Sequence, residues 1–131
     1  LEMAQEAYKN IYGYEWQGDN LLLARESLLI TFIEYFEAKF GKKPLARSIN
    51  YIAYIVSWNL WQMDGLKMVV PDSCDNVLET NLFGEESKIE CPACKKGETH
   101  GHIGKACLIR DWRKPKDKQK ITFSSLVQQN K

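Results

Sequence analysis

Cys91-Pro-Ala-Cys94-Lys-Lys-Gly-Glu-Thr-His100-Gly-His102-Ile-Gly-Lys-Ala-Cys107 holds three of the four cysteines of the chain and both of its histidines. Cys91 and Cys94 have the Cys-x-x-Cys spacing in which a tight turn presents two thiolates to one ion. His102 and Cys107 can complete a tetrahedron, and His100, in the loop between, is an alternative to His102. Zinc accepts this borderline-soft donor set, and four protein ligands leave no position open for water or substrate, so the expected ion is structural. The expected metal ligands are therefore Cys91, Cys94, His102 and Cys107. The competing readings are a disulfide between two of these cysteines, or free thiols. A disulfide framework is disfavoured because no stretch reads as a secretory signal, and because at 44% hydrophobic residues the chain needs no covalent staples.

The rest of the composition narrows the class. A length of 131 residues suits one domain, expected over residues 3–131, with Leu1-Glu2 read as a cloning remnant ahead of Met3. A net charge of +1 supplies no global field toward nucleic acid or an anionic membrane. No apolar run approaches the roughly 20 residues needed to span a bilayer. The expected compartment is a reducing cytoplasm.

Ahead of the cysteine stretch, Asn10–Glu15 reads as a short strand rich in Ile and Tyr. Asp19 or Asn20 is placed to cap the helix that follows. Leu22, Leu29, Ile33, Phe36 and Phe40 recur at helical spacing, widened by Leu28, Phe32 and Tyr35, and Gly41 and Pro44 end the segment. A second helix is predicted from about Leu45 to Trp58, burying Ile49, Ile52, Ala53 and Val56. Asn59–Met63 reads as a buried strand ended by Asp64-Gly65, a turn that can return Lys67–Val70 as a further strand. Pro71–Gly84 reads as irregular, with Leu78, Leu82 and Phe83 as anchors. Cys107–Trp112 and Lys120–Phe123 read as strands flanking a basic loop, Arg113–Lys120. The predicted fold class is α/β (α+β): two N-terminal helices on a small sheet, then a zinc-stapled, β-rich C-terminal region centred on 88–113.

Two resemblances follow from these residues. Cys91, Cys94 and Gly101-His102-Ile-Gly-Lys-Ala-Cys107 resemble the CCHC zinc knuckle of retroviral nucleocapsid proteins, with a longer gap before the histidine. Ile11-Tyr-Gly-Tyr-Glu15, Asp19-Asn20, Ala24-Arg-Glu-Ser-Leu-Leu29 and Trp58-Asn-Leu-Trp-Gln-Met-Asp64-Gly-Leu66 resemble the N6-adenine DNA methyltransferases of restriction systems. Asp111-Trp-Arg113 with Ile121-Thr-Phe-Ser124 is similar to the segment that follows in that family. The resemblance implies a methyltransferase-like half-sheet over residues 10–70. In the family, the counterparts of Glu15 and Asp64 hold the ribose and the adenine of S-adenosylmethionine. It also implies two parts that these residues lack: a glycine-rich turn for the methionine end of the cofactor, and an Asn/Asp-Pro-Pro-Tyr/Phe turn for the flipped adenine. The chain is therefore expected not to methylate DNA on its own. Glu15 and Asp64 are expected to serve as a strand-end and a turn residue rather than as cofactor ligands.

No catalytic residue is assigned. A metal-bound Cys107 beside His102 is not free to act as a nucleophile. Glu98 and Glu90 are the only carboxylates near enough to serve a catalytic zinc, and the motif order is the reverse of that in zinc deaminases. As a small zinc-stapled protein lacking catalytic motifs, the chain resembles phage anti-CRISPR proteins that inhibit Cas9. That implies a steric inhibitor that binds a defence ribonucleoprotein such as Cas9 and blocks loading of target DNA. The alternatives are a nucleic-acid-binding zinc knuckle, for which the basic loop and Lys95, Lys96 and Lys105 would contact phosphate, and one piece of a split adenine-specific methyltransferase.

Overall fold

The computed structural model describes residues 1–128, apart from the side chains of Asn76, Val127 and Gln128; the end of the expected domain, 129–131, lies outside the described residues. The fold is α+β. Helix α1 spans Glu2–Lys9, β1 Gly13–Glu15, α2 Gly18–Phe40, α3 Ala46–Asn59 and β2 Leu60–Gln62. Strands β3 (Leu78–Thr80) and β4 (Glu86–Lys88) follow, then α4 (Pro92–Lys96), β5 (Leu108–Arg110), β6 (Lys120–Thr122) and α5 (Phe123–Gln128). No described helix is long and apolar enough to cross a membrane.

Strands β1 and β2 pair in parallel, with Gly13 opposite Leu60, Tyr14 opposite Trp61 and Glu15 opposite Gln62. Parallel neighbours need a long crossover, and α2 and α3 supply it. The expected strand–helix–helix–strand order is thus present, but β1 is shorter than Asn10–Glu15. Its first residues close α1 instead: the amides of Asn10 and Ile11 donate to the carbonyls of Ala7 and Tyr8. Helix α1 includes Glu2, which the sequence reading set aside.

Leu21, Phe32, Ile52, Ile55, Val56 and Leu60 form the main core, against which Tyr8, Leu28, Leu29, Ile33, Phe36 and Ile49 pack. Two expectations for α2 are corrected. Leu21 is buried while Leu22 is 63% exposed and Tyr35 71% exposed, so the buried stripe is narrower than the apolar residues that fit it. The helix starts at Gly18 with Gln17 at its cap and no side-chain cap, which leaves Asp19 inside the first turn, where its charge opposes the helix dipole. At the other end Gly41 adopts φ 65°, the left-handed stop that glycine accepts without strain.

A second cluster lies around Met63, Cys107, Ile109 and Phe123, with Tyr12, Trp61 and Ile121 against it. Here β5 and β6 pair antiparallel as expected, Ile109 opposite Ile121. The side chain of Asn59, fully buried at the end of α3, ties α1 to Trp112 beside the main core. Its Nδ2 donates to the carbonyls of Tyr8 (3.0 Å) and Lys9 (3.3 Å), and its Oδ1 accepts from Trp112 Nε1 at 2.8 Å. Nearby, the Arg110 guanidinium stacks on Trp58, Tyr54 and Trp112, at 4.6, 5.1 and 5.6 Å from their ring centres. Three of the four tryptophans are thus half-buried structural residues, and Trp16 is exposed.

Lys67–Val70 is not a strand. Val69 bridges Asp64 on one side and Ala106 on the other. Pro71–Gly84 is more ordered than expected, because Leu78–Thr80 pairs with Glu86–Lys88 in an antiparallel hairpin. Its turn is set by Asn81, whose Oδ1 accepts the amides of Phe83 and Glu85. Leu82 and Phe83 are not anchors but the fully exposed tip.

Replacing Asn59 by Leu strands the Trp112 N–H and removes the donor to two carbonyls, so denaturant melts should show a loss of about 3 kcal/mol. Asp111, buried and ion-paired with Arg113 at 2.9 Å, has its pKa lowered, first by the Arg113 hydrogen bond. A carboxylate depressed in the folded state stabilises above its unfolded pKa, and that contribution is lost as pH falls through the folded value, so stability should drop below about pH 4. An acid titration of Asp111→Asn should show a shallower drop than the parent.

Candidate metal centre

Four potential ligands converge, and one of them is not among those expected. Cys74, Cys91, Cys94 and His102 place their donor atoms within 4.8 Å of one another. His102 Nδ1 is 3.4 Å from Cys94 Sγ, 3.6 Å from Cys91 Sγ and 3.8 Å from Cys74 Sγ. In a tetrahedral site with metal–sulfur bonds near 2.3 Å and metal–nitrogen bonds near 2.0 Å, the nitrogen–sulfur edges are about 3.5 Å. The spacing therefore suits a single ion bound by all four side chains, and the cluster could hold a metal.

Each ligand is delivered by local chemistry. Cys91 caps α4 and Pro92 takes the first helical position, where a missing N–H costs nothing. One turn on, Cys94 returns to the same side, and Gly97 ends the helix at φ 68°. The chain then bends back so that His102 Nε2 donates to the Glu98 carbonyl at 2.8 Å. With the Nε2 proton committed there, the Nδ1 lone pair faces the sulfurs, the orienting role that a second partner plays for a metal-ligating histidine. Among the two histidines, His102 is the one in the cluster; His100 is exposed in the loop.

Cys74 arrives from a different part of the chain. It lies in a short 3-10 turn, Ser73–Asn76, after the bridged residue Val69. The Val70 amide donates to the Lys105 carbonyl, the Lys105 amide donates to Ser73 Oγ, and Ser73 Oγ donates to the Val70 carbonyl. This stitching lays 70–74 along 103–106. Gly104 is needed there, because a Cβ would come within 2.5 Å of Ser73 Oγ and 2.8 Å of Cys74 Sγ. Backbone amides complete the surround: that of Ile103 donates to Cys91 Sγ and that of Gly104 to Cys74 Sγ.

Cys107, expected as the fourth ligand, is corrected to a core residue. It is 1% exposed within the second apolar cluster, and its thiol donates to the Gln62 carbonyl at 3.5 Å. Burial pushes that thiol up to about 11, so it stays protonated at neutral pH. Within the cluster the Ile103 amide holds Cys91 below the usual thiol range, while burial raises Cys74. Thiols must lose their protons to ligate a metal, so metal affinity should rise with pH.

Glu15 and Asp64 lie at the carboxyl ends of the two parallel strands, and the Met63 amide donates to the Glu15 carbonyl at 3.0 Å. Glu15 Oε1 accepts the Gln17 amide at 3.2 Å. Asp64 is buried, and its Oδ1 accepts the amides of Leu66 (2.9 Å) and Lys67 (3.2 Å), closing its own turn. Of the basic residues expected to contact phosphate, Arg113 pairs with Asp111, and Lys120 lies over the Trp58 ring. Family models, curated proteins and solved structures all give no match to this chain.

Zinc titration followed by metal analysis should find one ion per parent chain and per Cys107→Ser chain. Cys74→Ser should bind at least about 100-fold more weakly, since it removes a thiolate ligand rather than a core thiol.

Proposed function

We propose that this chain is a zinc-stapled half of an adenine-methyltransferase-type sheet, one that binds the nucleoside portion of S-adenosylmethionine and does not transfer methyl groups by itself. The observation that carries this reading is the parallel β1–β2 pair joined through α2 and α3. It sets Glu15 at the carboxyl end of β1 beside the turn after β2, and open α/β sheets bind ligands outside the carboxyl ends of their strands. The residues fit the nucleoside in part. Glu15 is half-buried and has carboxylate acceptors for ribose hydroxyls. The Asp64 Oδ1 is committed to its own turn and offers the ligand no acceptor. For the methionine end, the glycine-rich turn is supplied by none of the 131 residues.

Zinc is the ion best suited to three thiolates and an imidazole in a tetrahedral arrangement, and a site with four protein ligands is structural. It contributes no step to any reaction here. It fixes the segment after β2 against the loop leading into β5.

A second reading, inhibition of a bacterial nucleic-acid-targeting complex such as Cas9 with its guide RNA, draws support from the β3–β4 hairpin. Leu82 and Phe83 stand fully exposed on a turn held rigid by Asn81. Exposed aromatic anchors on rigid supports are typical of protein interfaces.

Amide chemical shifts of labelled protein separate the two readings. S-adenosylhomocysteine should perturb residues around Glu15, Gly18 and Leu66 with an affinity near 1 mM, weak as befits half a site, and Glu15→Ala should abolish the effect. Perturbations that persist in Glu15→Ala, or that never appear, contradict the nucleoside reading. Capture of the Cas9–guide complex that is lost in Phe83→Asp would favour the second.

A further inference from the structure

The cysteines are not equally reachable. All four lie within the described residues, and none is in a disulfide. Cys107 is 1%, Cys74 3% and Cys91 4% exposed, whereas Cys94 is only partly buried. A cavity of about 450 Å³ opens onto the metal cluster, and Cys74, Cys91 and Cys94 all line it. Its other walls are mostly polar, with Lys88 and the exposed ion pair of Lys95 and Glu90, so a small polar solute can enter. Cys107 has no part in this opening, because it packs in the second apolar cluster with Ile109 and Phe123.

Cys91 and Cys94 are the pair best placed to join. Cys91 caps α4, Cys94 follows in its first turn, and the Lys95 amide donates to the Cys91 carbonyl to close that turn. Residues three apart across a helical turn have Cα atoms about 5–6 Å apart, inside the range of roughly 4.4–6.8 Å that a disulfide spans. Their sulfur atoms lie within 4.8 Å of each other. Cys74 is held by a separate stretch of chain, through the contacts of Ser73 with Val70 and Lys105.

We propose that Cys91 and Cys94 are an oxidisable pair, a modification site for hydrogen peroxide, and that the state of this pair decides whether the centre can load its metal. In the metal-free chain the Cys94 thiolate attacks the peroxide O–O bond, giving a sulfenic acid and hydroxide. The Cys91 thiolate then displaces a second hydroxide from that sulfur and forms the Cys91–Cys94 disulfide. The two sulfurs together lose two electrons, the peroxide is reduced to two waters, and the two thiol protons end on the hydroxides. The disulfide removes two of the four ligands, and Cys74 with His102 alone cannot complete a tetrahedral site. A dithiol reverses the step and becomes its own cyclic disulfide. Bound zinc protects the pair, because both sulfurs are then ligands. The inference rests on the metal reading of the cluster.

The test takes the full chain, reduced and stripped of metal, and adds one equivalent of hydrogen peroxide. Thiol counting and mass mapping of peptides should find two of the four thiols lost, joined as Cys91–Cys94, with Cys107 intact. Zinc uptake, read by metal analysis, should fall at least about tenfold on oxidation and return in full after dithiothreitol. Chain loaded with zinc beforehand should lose its thiols at least about tenfold more slowly. A disulfide that links a different pair, or Cys107 reacting first, would overturn the inference. So would an oxidised chain that takes up zinc as the reduced chain does, or a zinc-loaded chain oxidised as fast as the stripped one. If the reduced parent itself takes up no zinc, the metal reading falls and this control of loading falls with it; if the reduced parent binds zinc and any of the other failures occurs, this inference alone falls.

Discussion

Between β2 and β5 three thiols and an imidazole from Cys74, Cys91, Cys94 and His102 converge in a cluster that could hold a metal ion. Beside it the segment has backbone stitching and one hairpin but few apolar contacts. Its apolar cluster is small, Val69 and Ala93 beside the cysteines, and every residue of β3 and β4 is exposed. Burial at about 25 cal/mol per Å² cannot offset the entropy of ordering so many residues with so few apolar groups. Structural zinc contributes on the order of 10 kcal/mol in isolated fingers, a scale that can. The dependence is local, because the helical core around Ile52 and Ile55 is built from residues outside the cluster.

Polar side chains tie α1, α3 and the residues around β5 together beside the apolar packing. Asn59 spans α1, α3 and the start of the basic loop, and Arg110 fills a pocket of three aromatic rings. The Cys107 thiol and the Arg25 guanidinium each close a carbonyl of β2. These contacts fix β2 on the side away from β1.

Much of this was legible in the sequence, where periodic burial is strong. Helices α2 and α3 and the strands β5 and β6 follow from apolar spacing and turn residues, while the half-sheet order came from the methyltransferase resemblance. The metal site was legible only in part. Cys91, Cys94 and His102 are close in sequence, and their spacing carries the chemistry. Cys74 is far from them and arrives through backbone stitching to 103–106, which no local pattern reveals. The signal against Cys107 was present but weak: it opens the alternating run Cys107-Leu-Ile-Arg, in which Cys107 and Ile109 share the buried face. Helix α1 and the β3–β4 hairpin were missed for a different reason. Helix α1 is a short amphipathic helix that touches the core only through Ala4 and Tyr8, and every residue of the hairpin strands is exposed, which leaves no alternating mark.

On the proposed reading a bound metal orders the segment between β2 and β5, while the helical core stands without it. Native-state amide exchange of the full chain, zinc-loaded and then stripped with a chelator, tests it most directly. The account predicts that amides in 70–106 lose their protection on stripping while those of α2 and α3 keep theirs. Unchanged protection across 70–106 after the metal is gone would contradict it, as would unfolding of α2 and α3 in step with that segment.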